Sequence, residues 1–349
     1  MSNPIPESMQ AIRLEEENGK LQVRQLPVPK PGPGEVLIRM AASTINPSDI
    51  GFMYSTTGYS NRVLPVTPGL EGSGTVVDAG AGFLPNYLKG KRVACSKYLN
   101  GNGTWAEYMV TKASLCVPLQ KKITLEQGAT LVVNPMTAVI FFEIIKQGKH
   151  RAFVNTAAAS QLGRMLLRMA QKRNIPIINV VRRKDQADLL RSLGAEHVLV
   201  SMDADFDQNL SALSHRLNAT LILDAICGEF TQRLVNASPP NSLILLYSNL
   251  SASQAQMMPH SLWLHNRRVE GFYLPTWASQ HGMLKILGVS QQVQKLLSTD
   301  LQVTFQKRIP FASVQDRKRH VDIKMQAGPL QASACRVPWC LHRNTTMAQ

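Results

Sequence analysis

From about residue 125 the chain alternates short apolar runs with amphipathic stretches. Two helical stretches, 125–131 and 137–146, come first, and the pair Asn134-Pro135 predicts a break between them. Strand and helix patterns then alternate as far as a last predicted helix at 291–297, which is typical of parallel βαβ units. The predicted strands of this α/β region are residues 151–156, 177–181, 198–200, 221–225, 242–247 and 268–272.

Residues 9–130 show a different pattern, with closely spaced strands separated by glycine and proline. A turn at 31–35 leads into an apolar strand at 36–40, and glycines open another strand at 72–80. Such spacing predicts a barrel-like antiparallel domain. Two more short strands are predicted at 90–95 and 104–110, and residues 301–308 form an extended piece that returns to this domain.

The turn within residues 152–163 is the most informative segment. It reads Ala-Phe-Val-Asn-Thr-Ala-Ala-Ala-Ser-Gln-Leu-Gly and leads from a buried strand into an apolar helix. Backbone N–H groups at such a helix N-terminus bind an anionic diphosphate. Of the usual Gly-x-Gly-x-x-Gly pattern only Gly163 is present, with Ala158 and Ser160 at the earlier positions, so an ordinary strand-turn-helix remains the alternative.

The next predicted strand ends in cations. Residues 177–181 are followed directly by Arg182, Arg183 and Lys184. An acid at this place would bind the ribose hydroxyls of NAD, whereas cations accept the 2′-phosphate of NADP. The segment therefore predicts an NADP-binding domain, and the alternative is a solvated helix start.

Composition and charge narrow the function classes. The 349 residues suffice for two domains. The formal net charge is +15, but no nucleic-acid-binding motif accompanies it, so no nucleic-acid partner is expected. No uncharged apolar run is long enough to cross a bilayer, and glutamates near the N-terminus argue against a signal or transit peptide. We therefore expect a cytoplasmic protein without membrane association.

Five stretches in the same order resemble the medium-chain dehydrogenase/reductase superfamily: residues 31–38, 45–49, 68–74, 103–108 and 193–198. The resemblance implies a GroES-like β-barrel catalytic domain at 1–128 and a doubly wound Rossmann dinucleotide-binding domain at 129–275. Residues 276–349 would then return to the catalytic domain. They end in an atypical tail, because 316–349 show neither the helix nor the strand with which the family ends.

The resemblance also indicates which branch of the family applies. Zinc alcohol dehydrogenases place a cysteine where this chain has Asn46, a histidine where it has Leu70, and a second cysteine near residues 133–135, which contain none. Catalytic zinc needs three protein ligands of N, S or O type. No metal is therefore expected, and the zinc-free quinone reductases and 2-enoyl thioester reductases remain. Residues 46–50, 131–138, 178–182 and 268–277 look most like the mitochondrial-type enoyl reductases.

Three functions follow as hypotheses. The first is NADPH-dependent reduction of the activated C=C bond of a 2-enoyl thioester, and the second is an NADPH:quinone oxidoreductase. The third is a catalytically silent dinucleotide-binding protein, which the residues Ala158 and Ser160 and the unusual tail suggest. The expected partners are a small-molecule substrate and a second copy of the chain, as a homodimer.

The resemblance assigns roles to individual residues. A tyrosine after the Asn-Pro-x-Asp motif serves the reaction site in enoyl reductases; Tyr59 is the better match and Tyr54 the reserve, each with a loop tyrosine as the alternative. Asn46 is expected at the nicotinamide, with a turn-forming role as the alternative. The expected NADPH-binding residues are Thr137, Asn155, Ser160, Gln161, Leu162, Gly163, Arg182, Arg183, Lys184, Tyr247, Ser248, Phe272 and Tyr273.

Overall fold

The computed structural model describes residues 4–17, 19–54, 63–98, 101–305, 308–310 and 339–342. Within them the chain forms an N-terminal domain with mostly antiparallel strands and a second domain built on a parallel sheet, which confirms the predicted α/β fold class. The strands are β1 (Ser8–Leu14), β2 (Leu21–Pro27), β3 (Glu35–Ile45), β4 (Glu71–Ala79), β5 (Arg92–Ser96), β6 (Tyr108–Lys112), β7 (Cys116–Pro118), β8 (Ala152–Asn155), β9 (Ile177–Val181), β10 (His197–Val200), β11 (Ala219–Asp224), β12 (Leu243–Leu246), β13 (Arg268–Gly271), β14 (Arg308–Pro310) and β15 (Trp339–His342).

The helices lie mostly between the strands of the second domain. They are α1 (Pro47–Tyr54), α2 (Phe83–Leu88), α3 (Leu125–Gly128), α4 (Thr137–Gln147), α5 (Gln161–Lys172), α6 (Lys184–Ser192), α7 (Phe206–Leu217), α8 (Glu229–Ala237), α9 (His260–Trp263) and α10 (Leu274–Leu296). None of the helices in the described part of the chain is long and apolar enough to span a membrane.

The N-terminal domain consists of a two-stranded ribbon, β1 with β2, and a larger sheet in the order β14-β15-β3-β4-β5-β7, with β6 also pairing with β3. Its core is built from alternate residues of the strands, such as Val36 and Ile38 of β3 packed with Val93 of β5. A second cluster places Trp105 against Met53 of α1, so the helix that follows Asn46 is held on the domain's core.

The second domain has a six-stranded parallel sheet in the order β10-β9-β8-β11-β12-β13. Its strands present alternate residues to two cores. Phe153 and Leu221 belong to the core that includes α4 and α5, whereas Val154 and Ile222 belong to the one that includes α7 and α8. Helices therefore cover both faces, as a parallel sheet requires.

The structure corrects three local predictions. The chain does not break at Asn134-Pro135 but runs through a wide π-helical turn, Val132–Met136, directly into α4. Proline fits there because its missing N–H is not needed in a locally widened turn. Helix α10 begins at Leu274, well before the predicted 291–297, with a kink at Gly282. In the tail, β15 forms a strand that the sequence pattern does not predict, paired with β3 and β14.

Candidate active site between the two domains

The order of the parallel strands creates a crevice at their carboxyl ends. Strands β8 and β11 lie side by side while the chain proceeds from them to opposite edges of the sheet. Ligands of doubly wound sheets bind at such a switch point. At the end of β11, the Asp224 carboxylate accepts hydrogen bonds from Thr231 Oγ1 at 2.8 Å and from the Ile226 N–H at 2.9 Å. Burial raises the pKa of Asp224, and these donors oppose the rise.

The turn from β8 into α5 brings the helix N-terminus to this crevice. Ser160 caps α5, since its Oγ accepts the N–H of Gly163 at 3.0 Å. A Cβ at Gly163 would run into the backbone of Ala158, so glycine permits the close approach of helix and strand. Ala157 has a φ of 49°, in the left-handed region. The first N–H groups of α5 have no acceptor within the helix and can bind an anion.

Four predicted cofactor residues near this turn have other contacts. Gln161 donates through Nε2 to the carbonyl of Gln302 at 3.0 Å, which ties α5 to the segment returning to the first domain. Leu162 is buried in the core. Asn155 lies beneath α5, where Nδ2 donates to the Gly163 carbonyl at 3.3 Å, and the Thr137 hydroxyl donates to the Val133 carbonyl at 2.6 Å. Their side chains thus shape the turn and the start of α4.

The cations after β9 differ from one another. Arg183 forms a two-point ion pair with Asp185, at 2.9 and 3.0 Å, and this hydrogen-bonded carboxylate raises the pKa of the guanidinium. Arg182 and Lys184 are exposed, and their side chains pair with no residue that the structure describes. Arg182 and Lys184 are therefore the cations available to a phosphate here.

An aromatic group borders the crevice from the side of β12 and β13. Tyr247, directly after β12, and Phe272, directly after β13, each meet Phe141 of α4 edge-to-face, with ring centroids 5.1 and 4.9 Å apart. The Ser248 carbonyl accepts the thiol of Cys227 at 2.8 Å, and Tyr273 is exposed. Such a group can flank a planar ring.

Asn46 lies at the junction of the two domains and is buried. Its Nδ2 donates to Glu71 Oε1 at 2.8 Å and to Thr44 Oγ1 at 2.9 Å. Its Oδ1 accepts from Nδ2 of Asn134 at 3.1 Å, across the domain boundary. The Asn46 amide therefore has contacts on both its nitrogen and its oxygen.

Glu71 joins the domains through its second oxygen. Oε2 accepts the N–H groups of Val132 at 3.0 Å and Val133 at 2.8 Å, at the start of the π-helical turn. Oε1 also accepts from Thr44 Oγ1 at 3.0 Å. Burial raises the pKa of Glu71, and the donated hydrogen bonds oppose the rise.

A second buried carboxylate, Asp49, accepts hydrogen bonds from the backbone next to Glu71 and at Asn46. Its Oδ2 accepts the N–H of Asn46 at 2.7 Å and its Oδ1 accepts the N–H of Leu70 at 2.8 Å. Burial raises its pKa to about 7, although these two hydrogen bonds favour the charged form. Asp49 thus fixes the backbone at Asn46 and at Leu70, on the N-terminal domain's side of the junction.

The structure brings together Asn46, Glu71 and Asn134, but the two candidate tyrosines remain predictions. Tyr59 lies outside the described residues, and so does the side chain of Tyr54, whose backbone ends α1. Sequence reasoning missed Asn134, because an Asn-Pro pair was interpreted only as a helix break. The indication was the resemblance itself, since Asn134 falls within residues 131–138.

The residues at the zinc positions do not fit that metal. Asn46 and Leu70 stand where two ligands would be, and residues 133–135 are Val-Asn-Pro. Glu71 already accepts four hydrogen bonds. In the part of the chain that the structure describes, no group of three His, Cys, Asp or Glu side chains is arranged to hold a metal ion.

Two family models match the chain. One, described as the alcohol dehydrogenase GroES-like domain, matches residues 32–121, and the other, described as zinc-binding dehydrogenase, matches residues 162–288. Together they fall on the N-terminal domain and on the parallel sheet.

Individual relatives agree with these matches. The mitochondrial enoyl-[acyl-carrier-protein] reductase of Caenorhabditis elegans is 28% identical over 79% of this chain and 80% of its own length. A Mesorhizobium loti structure, provisionally described as an NADPH:quinone reductase, is 30% identical with a TM-score of 0.85, covering 97% of this chain and 100% of its own. One from Bacillus thuringiensis, described in the same way, is 25% identical with a TM-score of 0.81, over 96% of this chain and 99% of its own.

Proposed function

The chain belongs to the medium-chain dehydrogenase/reductase superfamily, as an oxidoreductase of the enoyl reductase and quinone reductase branch, and we propose that it reduces 2-enoyl thioesters with NADPH and without zinc. The observation that carries the cofactor proposal is the cationic end of β9. Arg182 and Lys184 are exposed there with no ion-pair partner in the described chain, where an NAD-binding domain would have an acid.

The residues at the crevice fit this cofactor. The N-terminus of α5 offers N–H groups for a diphosphate, and Gly163 lets the backbone of the turn at Ala158 lie close against the helix. Tyr247 and Phe272, which pack on the buried ring of Phe141, form an aromatic wall for the nicotinamide. Ser160 supports the diphosphate site by capping the helix, while Asn155 and Gln161 hold the turn in place.

When bound, NADPH supplies a hydride, which the β-carbon of the enoyl thioester accepts. The α-carbon then needs a proton, and the developing negative charge on the thioester oxygen needs a hydrogen-bond donor. In our proposal Tyr59 provides this donor, with Tyr54 as the second candidate. Asn46 and Thr137 border the nicotinamide from the two domains.

The choice of an enoyl thioester as substrate is supported by the similarity to mitochondrial enoyl-[acyl-carrier-protein] reductases, of which the Caenorhabditis elegans protein is 28% identical to this chain. Quinone reduction is the second candidate, because two structures provisionally described as NADPH:quinone reductases match almost the whole chain. The two reactions share the cofactor site and differ in the acceptor.

Paired substrates test the proposal. Purified protein would be given NADPH with either crotonyl-CoA or a benzoquinone, and NADPH oxidation would be followed by absorbance, with mass spectrometry of the thioester. The expected result is butyryl-CoA in stoichiometric amount to the NADPH consumed. Turnover of the quinone alone would favour the second candidate, and tight NADPH binding without either reaction would indicate a silent dinucleotide-binding protein.

We also propose a homodimer through the edge of β13 that pairs with no other described strand. This strand ends the parallel sheet, and the nearby side chains of Trp263 and Leu264 are 69% and 66% exposed. Open strand edges and exposed apolar groups favour association with a second copy. Sedimentation velocity is expected to give the mass of a dimer, and a monomer at micromolar concentration would contradict the proposal.

We propose that the protein is located in the cytoplasm, as expected from the sequence. Fluorescence imaging of the full-length protein with a C-terminal tag would test this, and mitochondrial signal would contradict it.

A further inference from the structure

Two buried carboxylates bridge the three places where zinc dehydrogenases hold their metal. Asp49 accepts the N–H groups of Asn46 and Leu70, at 2.7 and 2.8 Å. Glu71 accepts the Asn46 side chain at 2.8 Å and the N–H of Val133 at 2.8 Å. Hydrogen bonds to carboxylates thus join these positions.

The hydrogen bonds around Glu71 have a fixed direction. A carboxylate only accepts, so Thr44 donates its proton to Glu71, and its oxygen is left to accept from Asn46. Asn46 therefore turns its nitrogen toward Glu71 and its Oδ1 toward Asn134. Asn134 in turn must present its nitrogen to Asn46. The charge of Glu71 thereby determines the orientation of two amides.

Glu71 also holds the segment that leads to the proposed nicotinamide site. The N–H groups of Val132 and Val133 begin the turn that continues into α4. Helix α4 starts with Thr137 and carries Phe141, the centre of the aromatic group. The carboxylate on the first domain therefore sets the position of the ring-flanking helix on the second.

We propose that Glu71 is a positioning residue for hydride transfer, acting through Asn46 and the first turn before α4. The inference rests on the proposed function, because it assigns the nicotinamide to this cleft. Donor and acceptor carbons must approach within about 3.5 Å, and a misplacement of about 1 Å lowers the rate on the order of 100-fold. Glu71 contributes by holding Asn46 on the first domain and the start of α4 on the second domain at a fixed distance from each other.

The variant Glu71→Gln tests the charge with little change in shape. Its amide has one oxygen, so its nitrogen must face either the two backbone N–H groups or the donors Thr44 and Asn46. We expect kcat to fall on the order of 100-fold. The Kd for NADPH should stay within about threefold, since no group at the diphosphate or 2′-phosphate site is altered.

A second substitution restores the pattern of donors and acceptors. In Asn46→Asp/Glu71→Gln the new amide oxygen accepts from Val132 and Val133, and its nitrogen donates to the new carboxylate, which still accepts from Asn134. The buried negative charge moves but is conserved. We expect the double variant to recover at least tenfold in kcat over either single variant, whereas Asn46→Asp alone places two carboxylates together and is impaired.

The readouts separate positioning from folding. Melting temperature and circular dichroism would be recorded for each variant, with Glu35→Gln on β3, outside the junction, as the matched control that keeps wild-type kcat. The emission of bound NADPH reports the nicotinamide environment without turnover. We expect its spectrum to shift in Glu71→Gln and to return in the double variant.

Two results would overturn the inference. One is unchanged kcat and unchanged NADPH emission in Glu71→Gln. The other is a double variant whose kcat and bound-NADPH emission are the same as those of Asn46→Asp. This second result decides the question if Glu71→Gln does not fold. If the wild-type protein reduces neither acceptor, the proposed function fails, while the emission of bound NADPH still tests the role of Glu71.

Discussion

At the residue scale, coenzyme selectivity depends on the unpaired cations after β9. Arg182 and Lys184 are exposed and free of ion pairs in the described chain, whereas Arg183 is held by Asp185. We expect Arg182→Ala with Lys184→Ala to raise the Kd of NADPH by about 100-fold or more, because each of the two lost charge-assisted hydrogen bonds is worth roughly 1.5 kcal/mol. Fluorescence titration with NADPH and NADH measures this.

The Kd of NADH should hardly change in that variant, since NADH has no 2′-phosphate. Arg183→Ala is the matched control and should affect NADPH less, because its guanidinium is already engaged. Equal weakening of both coenzymes would contradict the assignment.

A single hydroxyl at residue 59 is the proposed donor to the thioester. We expect Tyr59→Phe to lower kcat for crotonyl-CoA by roughly 100-fold or more, with the NADPH Kd unchanged, since one positioned hydrogen-bond donor to the developing negative charge contributes that much. Stopped-flow and steady-state assays of NADPH oxidation would measure it. If Tyr54→Phe showed this loss instead, Tyr54 would be the donor to the thioester. An unchanged kcat in both variants would contradict a donor role for either tyrosine.

Single residues were predictable where the backbone motif determined them. Ser160 and Gly163 could be placed at the helix start from their spacing, and the structure has them there. The partner of Asn46 could not be predicted in this way, because Asn134 is far along the chain and belongs to another domain. Contacts of this kind arise from domain packing, which local patterns do not encode.

At the scale of elements, the fit of α5 against β8 depends on one glycine. A Cβ at Gly163 would meet the Ala158 backbone, which cannot move like a flexible side chain. We expect Gly163→Ala to lower the free energy of unfolding by about 1–3 kcal/mol and to weaken NADPH binding, because the turn must shift. Urea denaturation and fluorescence titration would measure the two effects.

Gly288 in α10 provides the matched control. An added Cβ there meets no atom, and alanine is the better helix former, so Gly288→Ala should raise stability by about 0.5–1 kcal/mol. If the two substitutions had the same effect on stability, close packing against Ala158 could not explain the effect of Gly163→Ala.

Elements with a regular period could be predicted, while those that depend on a partner could not. All six strands of the parallel sheet were predicted within a few residues of their observed bounds. The turn at Val132–Met136 was not, because Glu71 of the other domain satisfies its first N–H groups. Strand β15 likewise exists through its pairing with β3, and its sequence shows no alternation.

At the scale of the whole molecule, the buried carboxylates at the junction link stability to pH. Burial raises the pKa of Asp49 to about 7 and also raises that of Glu71. An acid with a higher pKa in the folded state takes up a proton on folding, so its stabilising contribution is present at low pH. For Asp49 that contribution decreases as the pH rises from about 4 to about 7.

Asp49→Asn tests this linkage. The variant loses one backbone acceptor and should be less stable throughout, but its stability should fall less steeply between about pH 5 and about pH 7.5 than that of the wild type. Asp78→Asn is the control, because the Asp78 side chain is 42% exposed and the hydrogen bond from Lys89 lowers its pKa. The contribution of Asp78 to stability therefore rises with pH, and it is smaller than that of Asp49. The net charge of +15 acts on both variants alike. Melting temperatures across this pH range measure how steeply the stability of each protein changes with pH. Equal slopes in wild type and Asp49→Asn would contradict the prediction. They would mean that the N–H groups of Asn46 and Leu70 keep Asp49 charged in the folded protein.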